Sequence, residues 1–245
     1  MEYPEKYLEI CEKANQCRRL WNIPENSPID IFTVVLDKLE NVTICLMDLE
    51  ENLSGSSCKK KGQNIIFINS KHPLGRQRFT LAHELYHLEY QKEFTNCDIN
   101  SDTEIEEEAD QFASCLLMSN GALFNYEIEN NIKEWTLDDV IQTEQYFQIS
   151  HKAMLRRLKT LNKISEDTAE EYLPDIKFNA SIRGYALNLY EPYSNKKNLV
   201  LGNYIQMTNK AYELNKISES KRDELLLEAF CDDIVYNTQM DDLIE

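Results

Sequence analysis

The chain has 245 residues, 42% of them hydrophobic, which is enough to bury one sizeable core with a smaller appendage. Its net charge of −17, from 43 acidic against 26 basic side chains, argues against a built-in grip on a nucleic-acid backbone and favours a neutral or basic protein partner. Residues 1–17 are charged and lack the apolar stretch of a secretory signal, and no run is long enough to span a bilayer, so a cytoplasmic protein is expected.

Seven cysteines, odd in number and without a C-x-x-C pair, fit reduced thiols in packing positions rather than a disulfide frame or a zinc knuckle. Tyr7, Cys11, Ala14, Cys17 and Trp21 recur at helical spacing, and Pro24 ends that helix. Ser27 can cap a second helix with Pro28 at its first position, and Ile31, Val34, Val35 and Leu39 supply its buried face. Residues 42–47 and 64–69 are rich in β-branched side chains and predict two strands, with a polar, turn-forming segment at 54–62 between them.

Pro73 and Gly75 then precede Arg76-Gln-Arg-Phe-Thr-Leu-Ala-His-Glu-Leu-Tyr-His-Leu88, where Phe79, Ala82, Leu85 and Leu88 predict a helix. Within it lies His83-Glu84-Leu85-Tyr86-His87. Histidines four residues apart project from one helix face and can bind one metal ion. Glu84, about 60° round the helix from His87, can reach a water at that metal without being a ligand. That is the arrangement of a zinc peptidase with a glutamate base.

A catalytic zinc needs three protein ligands and an open position, so a third ligand is required. Residues 105–118 predict a helix whose apolar arc is Ile105, Ala109, Phe112, Ala113, Leu116 and Leu117. At about 100° per residue, Glu106 falls nearest that arc among its acidic neighbours, while Glu107 points away. Asp110, one turn on, can accept a proton from a ligand histidine. Thr103-x-x-Glu106 also has the form of a capping box, in which Glu106 would close the helix start instead.

These residues resemble the ImmA/IrrE family of metallopeptidases. The resemblance is carried by Arg78-Phe-Thr-Leu-Ala-His-Glu-Leu-x-His87, by Glu106-x-x-Ala109-Asp110-x-Phe-Ala113 and by Leu116-Leu-Met118. Weaker similarity at Ser54-Gly55, Ile65-x-x-Ile68-Asn69 and residues 150–161 extends it over most of the first 165 residues. Tyr86 stands where the family usually has glycine and is expected to narrow access to the metal. Ser119 stands where the family usually has proline. The resemblance implies a substrate that is a helix-turn-helix transcriptional repressor, whose cleavage switches on stress or mobile-element genes.

Further along, Thr136 caps a run with Leu137, Val140, Ile141 and Phe147, and Ser150 caps another with Ala153, Met154, Leu155, Leu158 and Leu161. This pair looks like a helix-turn-helix, and its His151, Lys152, Arg156, Arg157, Lys159 and Lys163 make a DNA contact a reading to be weighed against a solvated face. Residues 165–175 are polar and acidic, a candidate boundary. The remainder holds tyrosines 185, 190, 193, 204 and 212, which can be interface residues or half-buried filler, and two helices near 202–214 and 219–236.

The sequence therefore predicts an α+β fold: a zincin-like peptidase domain (1–122) with a small β-sheet and the H-E-x-x-H helix, a helical hairpin (123–168), and a small C-terminal domain (169–245) for substrate or partner recognition. The expected activity is a zinc endopeptidase with one Zn2+ per chain held by His83, His87 and Glu106, Glu84 as base and Asp110 behind a ligand. Tyr86 and Tyr90 are the nearest candidates to meet the oxyanion. An extended peptide could bind by adding a strand to a sheet edge beside the metal. The alternative is a regulator that contacts a repressor or DNA through a metal-containing module without turnover, against which an intact Glu84 argues, because a structural zinc site has no use for a base.

Overall fold

A stripe of Tyr7, Ile10, Cys11, Ala14 and Cys17 turns the first helix, α1 (Glu5–Leu20), toward the core. The computed structural model describes residues 5–91 and 103–236. Helix α2 (Ile31–Lys38) starts later than Ser27 and Pro28 predict, with Asp30 at its N-cap position. Buried arginines account for the delay. Arg18 donates to the Pro24 and Ser27 carbonyls and Arg78 to that of Ile29, so these carbonyls are held by guanidinium groups instead of helix amides.

Three strands follow: β1 (Val42–Met47), β2 (Gly55–Lys60) and β3 (Gln63–Asn69). The segment expected to be only a turn thus contains a strand. Its turn is the two residues Lys61 and Gly62, both with positive φ (51° and 79°), which match the twist of a tight hairpin and set β2 antiparallel to β3. A fourth strand, β4 (Leu199–Gly202), comes from the far end of the sequence and pairs antiparallel with β1, opposite Thr43 to Leu46. The sheet order is β2-β3-β1-β4, with β1 and β3 parallel.

Helix α3 (Leu74–Tyr90) lies on β2 and β3 and carries the H-E-x-x-H sequence. Helix α4 (Thr103–Leu117) packs between α3 and α1. Its C-terminal carbonyls are satisfied by buried arginines from two directions: Arg18 reaches Leu116 O at 2.6 Å and Arg157 reaches Met118 O at 3.0 Å. Cys11 of α1 and Cys115 of α4 are joined as a disulfide, with Cα atoms 5.3 Å apart, which corrects the expectation that every thiol is reduced. Cys17, Cys45 and Cys231 are in no disulfide, and Cys97 lies outside the described residues.

Helix α5 (Asn120–Glu129) begins at Ser119, whose hydroxyl accepts from Ala122 N at 2.9 Å. The residue that replaces the usual proline therefore serves as an N-cap. Helices α6 (Leu137–Phe147) and α7 (His151–Thr160) start at Thr136 and Ser150, each with the side-chain cap the sequence predicts. The polar stretch after them forms α8 (Glu166–Tyr172), capped by Ser165, then α9 (Ile176–Ile182) and a single 3-10 turn at Asn188–Tyr190. Helix α10 (Asn203–Glu213) is followed by α11 (Glu219–Glu228) and α12 (Asp232–Tyr236), one expected helix divided at Phe230 (φ 60°).

The fold is α+β, with a small mixed sheet among helices. The boundaries expected near 122 and 168 fall inside α5 and α8. Val140, Phe147, Met154, Leu155 and Leu158 of the hairpin belong to the same buried cluster as Leu81, Leu85, Phe112 and Leu116, and β4 completes the first sheet, so the three segments share their packing. Two smaller clusters surround Ile141 with Leu189 and Tyr190, and Val200 with Leu226 and Cys231. Among the described residues no helix is long and apolar enough to cross a membrane.

Candidate metal centre

His83 and His87 project one turn apart from α3, and α4 brings Glu106 to them. The two Nε2 atoms are 3.1 Å apart. Glu106 Oε2 is 3.1 Å from His83 Nε2, and its Oε1 is 3.6 Å from His87 Nε2. One ligand atom from each of these three residues lies within 4.8 Å of the others.

Each ring is fixed from behind. His83 Nδ1 is 2.9 Å from Asp110 Oδ1, and His87 Nδ1 is 2.8 Å from Gln91 Oε1. Each acceptor assigns the Nδ1 proton and leaves an Nε2 lone pair aimed at the common point. Two lone pairs and a carboxylate facing one another repel unless a metal ion, or a proton on His83 shared with Glu106, lies between them. Tetrahedral zinc with Zn–N bonds of about 2.0–2.1 Å separates two ligand nitrogens by roughly 3.3 Å, close to the spacing found. The donor set therefore fits zinc, with a position left over for water.

Glu84, on the same helix, is buried. It abuts Gly55 at the start of β2. A Cβ there would collide with Thr80 Cγ2, stand 2.7 Å from Phe67 O and 3.5 Å from Glu84 Oε1. Gly55 is thus needed for close approach of strand, helix and base. Burial pushes the Glu84 carboxyl above its usual range, while nearby His83 and the Ser57 hydroxyl pull it back. A carboxyl so placed takes up a proton more readily than an exposed one.

The other sequence candidates are placed differently. Asp110 holds His83, as expected, and is held in turn by Arg156. Glu107 is exposed, and Glu108 accepts from Tyr86 and pairs with Lys6. Tyr86 is buried where α3 meets α4, with its ring 5.5 Å from Phe112, 5.3 Å from Tyr90 and 6.3 Å from His87. The Tyr90 hydroxyl is 3.4 Å from Cys17 Sγ. Both hydroxyls lie in the packing of α3 against α1 and α4. Gln91 was not singled out, although its position four residues after His87 is the spacing at which a helix brings it to that ring.

The basic side chains of α7 are largely committed within the molecule. Arg156 pairs with Asp110, Lys159 with Glu166, and Arg157 caps α4; Lys163, just beyond the helix, pairs with Glu127, and Lys152 is exposed. His151 is buried with Nδ1 at 2.7 Å from Glu144. This helix offers little to a DNA groove. The five tyrosines of the last segment are likewise dispersed: Tyr185 packs on the Ile141 cluster, Tyr190 donates to Glu144, Tyr193 stacks 4.9 Å from Phe32, Tyr204 donates to Glu228, and Tyr212 lies under Arg222.

Zinc titration of four variants resolves the ligand set. Glu106→Gln is expected to weaken zinc strongly, Asp110→Asn by about 10–100-fold, and Glu107→Gln and Glu108→Gln hardly at all. Equal affinity in all four would show that the third ligand lies elsewhere. A pH series adds an independent check. Burial works against the His83 imidazolium, but Asp110 and Glu106 outweigh it and raise the group to about 9. A ligand must be neutral, so zinc has to displace this proton below that pH. Apparent zinc affinity should therefore fall by about tenfold per pH unit below about 9 and level off above it. Stability of the metal-free protein should run the other way: the contribution of His83 is complete below its unfolded value, about 6.5, and is lost as pH rises through about 9. Zinc affinity flat from pH 6 to 9 would show that zinc has no such proton to displace from His83.

The model of the IrrE N-terminal-like domain, Peptidase_M78, matches residues 38–159, a span that includes β1 to β3 and α3 to α7. No curated protein matches significantly. Among solved structures, a Mycobacterium tuberculosis transcriptional regulator superposes with a TM-score of 0.44 and 12% identity over 67% of this chain and 54% of that one, so the chain spans about half of that protein. Through residues 38–159, with the two histidines, Glu84, Glu106 and Asp110 all inside the match, this chain is a member of the IrrE N-terminal-like (Peptidase_M78) family.

Proposed function

We propose that the protein is a cytoplasmic zinc endopeptidase of the ImmA/IrrE type that cleaves a helix-turn-helix repressor and so derepresses stress or mobile-element genes. The observation that carries the catalytic part is the convergence of His83 Nε2, His87 Nε2 and the Glu106 carboxylate, with buried Glu84 on the next helix position. His83, His87 and Glu106 would hold one zinc ion. When bound there, zinc supplies Lewis acidity toward a carbonyl and acidifies a water.

Glu84 takes the proton of the attacking water and passes it to the leaving amine nitrogen. Its buried position keeps the carboxyl out of bulk solvent and raises its tendency to take up a proton. Asp110 and Gln91 hold the histidine rings so that Nε2 carries the lone pair. Support for the repressor as substrate comes from the family resemblance. Recognition of that partner is assigned to residues 169–245, where Phe178 and Ile182 of α9 are 65% and 61% exposed one turn apart.

Glu84→Gln should retain the fold and bound zinc yet lose at least about 100-fold in cleavage, since an amide cannot accept the proton. Affinity capture with this variant, followed by mass spectrometry, should yield an intact partner that the wild-type protein cuts. If Glu84→Gln cleaved as well as wild type, or a chelator left cleavage unchanged, the reaction would not be the one described.

A further inference from the structure

The carboxylate of Asp110 is shared. Its Oδ1 takes the Nδ1 proton of His83 at 2.9 Å, and its Oδ2 takes a hydrogen bond from the Arg156 guanidinium on α7. Asp110 is partly exposed, so without a second partner its side chain could rotate and offer either oxygen, or neither, to the ring. Arg156 removes that freedom by engaging the oxygen that His83 does not use. On the same helix Lys159 pairs with Glu166 and Arg157 reaches the end of α4, whereas Arg156 touches the histidine's support.

We propose that Arg156 is a positioning residue for the metal centre: it acts through Asp110 to hold the His83 ring, making α7 part of the machinery that presents Nε2 to a cation. This rests on the zinc reading above and deepens it. The competing description is an ordinary surface ion pair. Arg156 is 60% exposed, and exposed pairs contribute little to stability. The two descriptions differ in what depends on the contact. A surface pair affects only folding, whereas a positioning pair affects metal binding and does so only while Asp110 is present.

The test is a double-mutant cycle read as zinc affinity, by competition with a chromophoric chelator, using the full chain. Arg156→Gln should weaken zinc by about threefold to tenfold, less than a direct neighbour of the ligand would. Arg156→Lys, which keeps the charge but not the fork, should recover most of the loss. In an Asp110→Asn background, Arg156→Gln should change affinity no further. Because the guanidinium is exposed, the deficit of Arg156→Gln should also shrink in 1 M salt. Thermal melts of the metal-free variants report any change in folding separately. Wild-type affinity in Arg156→Gln, or an undiminished effect in the Asp110→Asn background, would overturn the inference while leaving the zinc reading intact. A wild-type protein that bound no zinc would bring down both.

Discussion

The packing of α3 against α4 is the contact on which the rest of the centre depends, because the proposed ligands come from both helices and neither helix holds a complete set. Ala109 and Ala113 are fully buried at this contact, and their small side chains allow the close approach that carries Glu106 to two histidines. A shift of α4 by one residue would turn Glu106 about 100° away and present a different side chain. Phase at this contact therefore decides the chemistry. It is held by Phe112 packed against Tyr86 and Tyr90, by the Cys11–Cys115 bond to α1, and by Arg18 and Arg157 at the C-terminal carbonyls of α4.

Around that contact the remaining elements divide two tasks. The sheet sets the height of α3: β2 and β3 lie under it, and Gly55 lets the backbone close on Thr80 and Glu84 where any side chain would intrude. Strand β4 seals the other side of β1. The hairpin of α6 and α7 does not present a free basic face. Its buried residues extend the main core, and its arginines point at α4, one capping it and the other touching Asp110. A segment that resembles a DNA-reading motif by sequence thus packs in the folded chain against the helix that carries Glu106 and Asp110.

Periodicity exposed much of this because the active helices are amphipathic. The phase of residues 105–118 agrees with Glu106 lying beside the two histidines and Glu107 being exposed, and the Thr136 and Ser150 caps mark real helix starts. Where pattern failed, the cause was a partner distant in sequence. The residues of β2, Gly-Ser-Ser-Cys-Lys-Lys, have little strand propensity and become a strand through the ladder of β3 and the Lys61-Gly62 turn. Strand β4 depends on β1, some 150 residues away. Ser27 lost its cap role to Arg18 and Arg78, whose burial no local pattern reveals. Tyr86 and Tyr90 lay close to the histidines in sequence but occupy another face of the same helix, where Glu108 and Cys17 take their hydroxyls. Arg156 was visible only as one charge among several; its partner is fixed by the crossing of α7 over α4.

The central claim is that two imidazoles and one carboxylate of this chain form an open zinc site. X-ray absorption at the zinc edge on the purified, zinc-loaded protein tests it most directly. The account predicts a shell of four or five nitrogen and oxygen neighbours at about 2.0–2.2 Å, with outer scattering from two imidazoles and no sulfur. A sulfur neighbour at about 2.3 Å, or a shell containing three or four imidazoles, would contradict it.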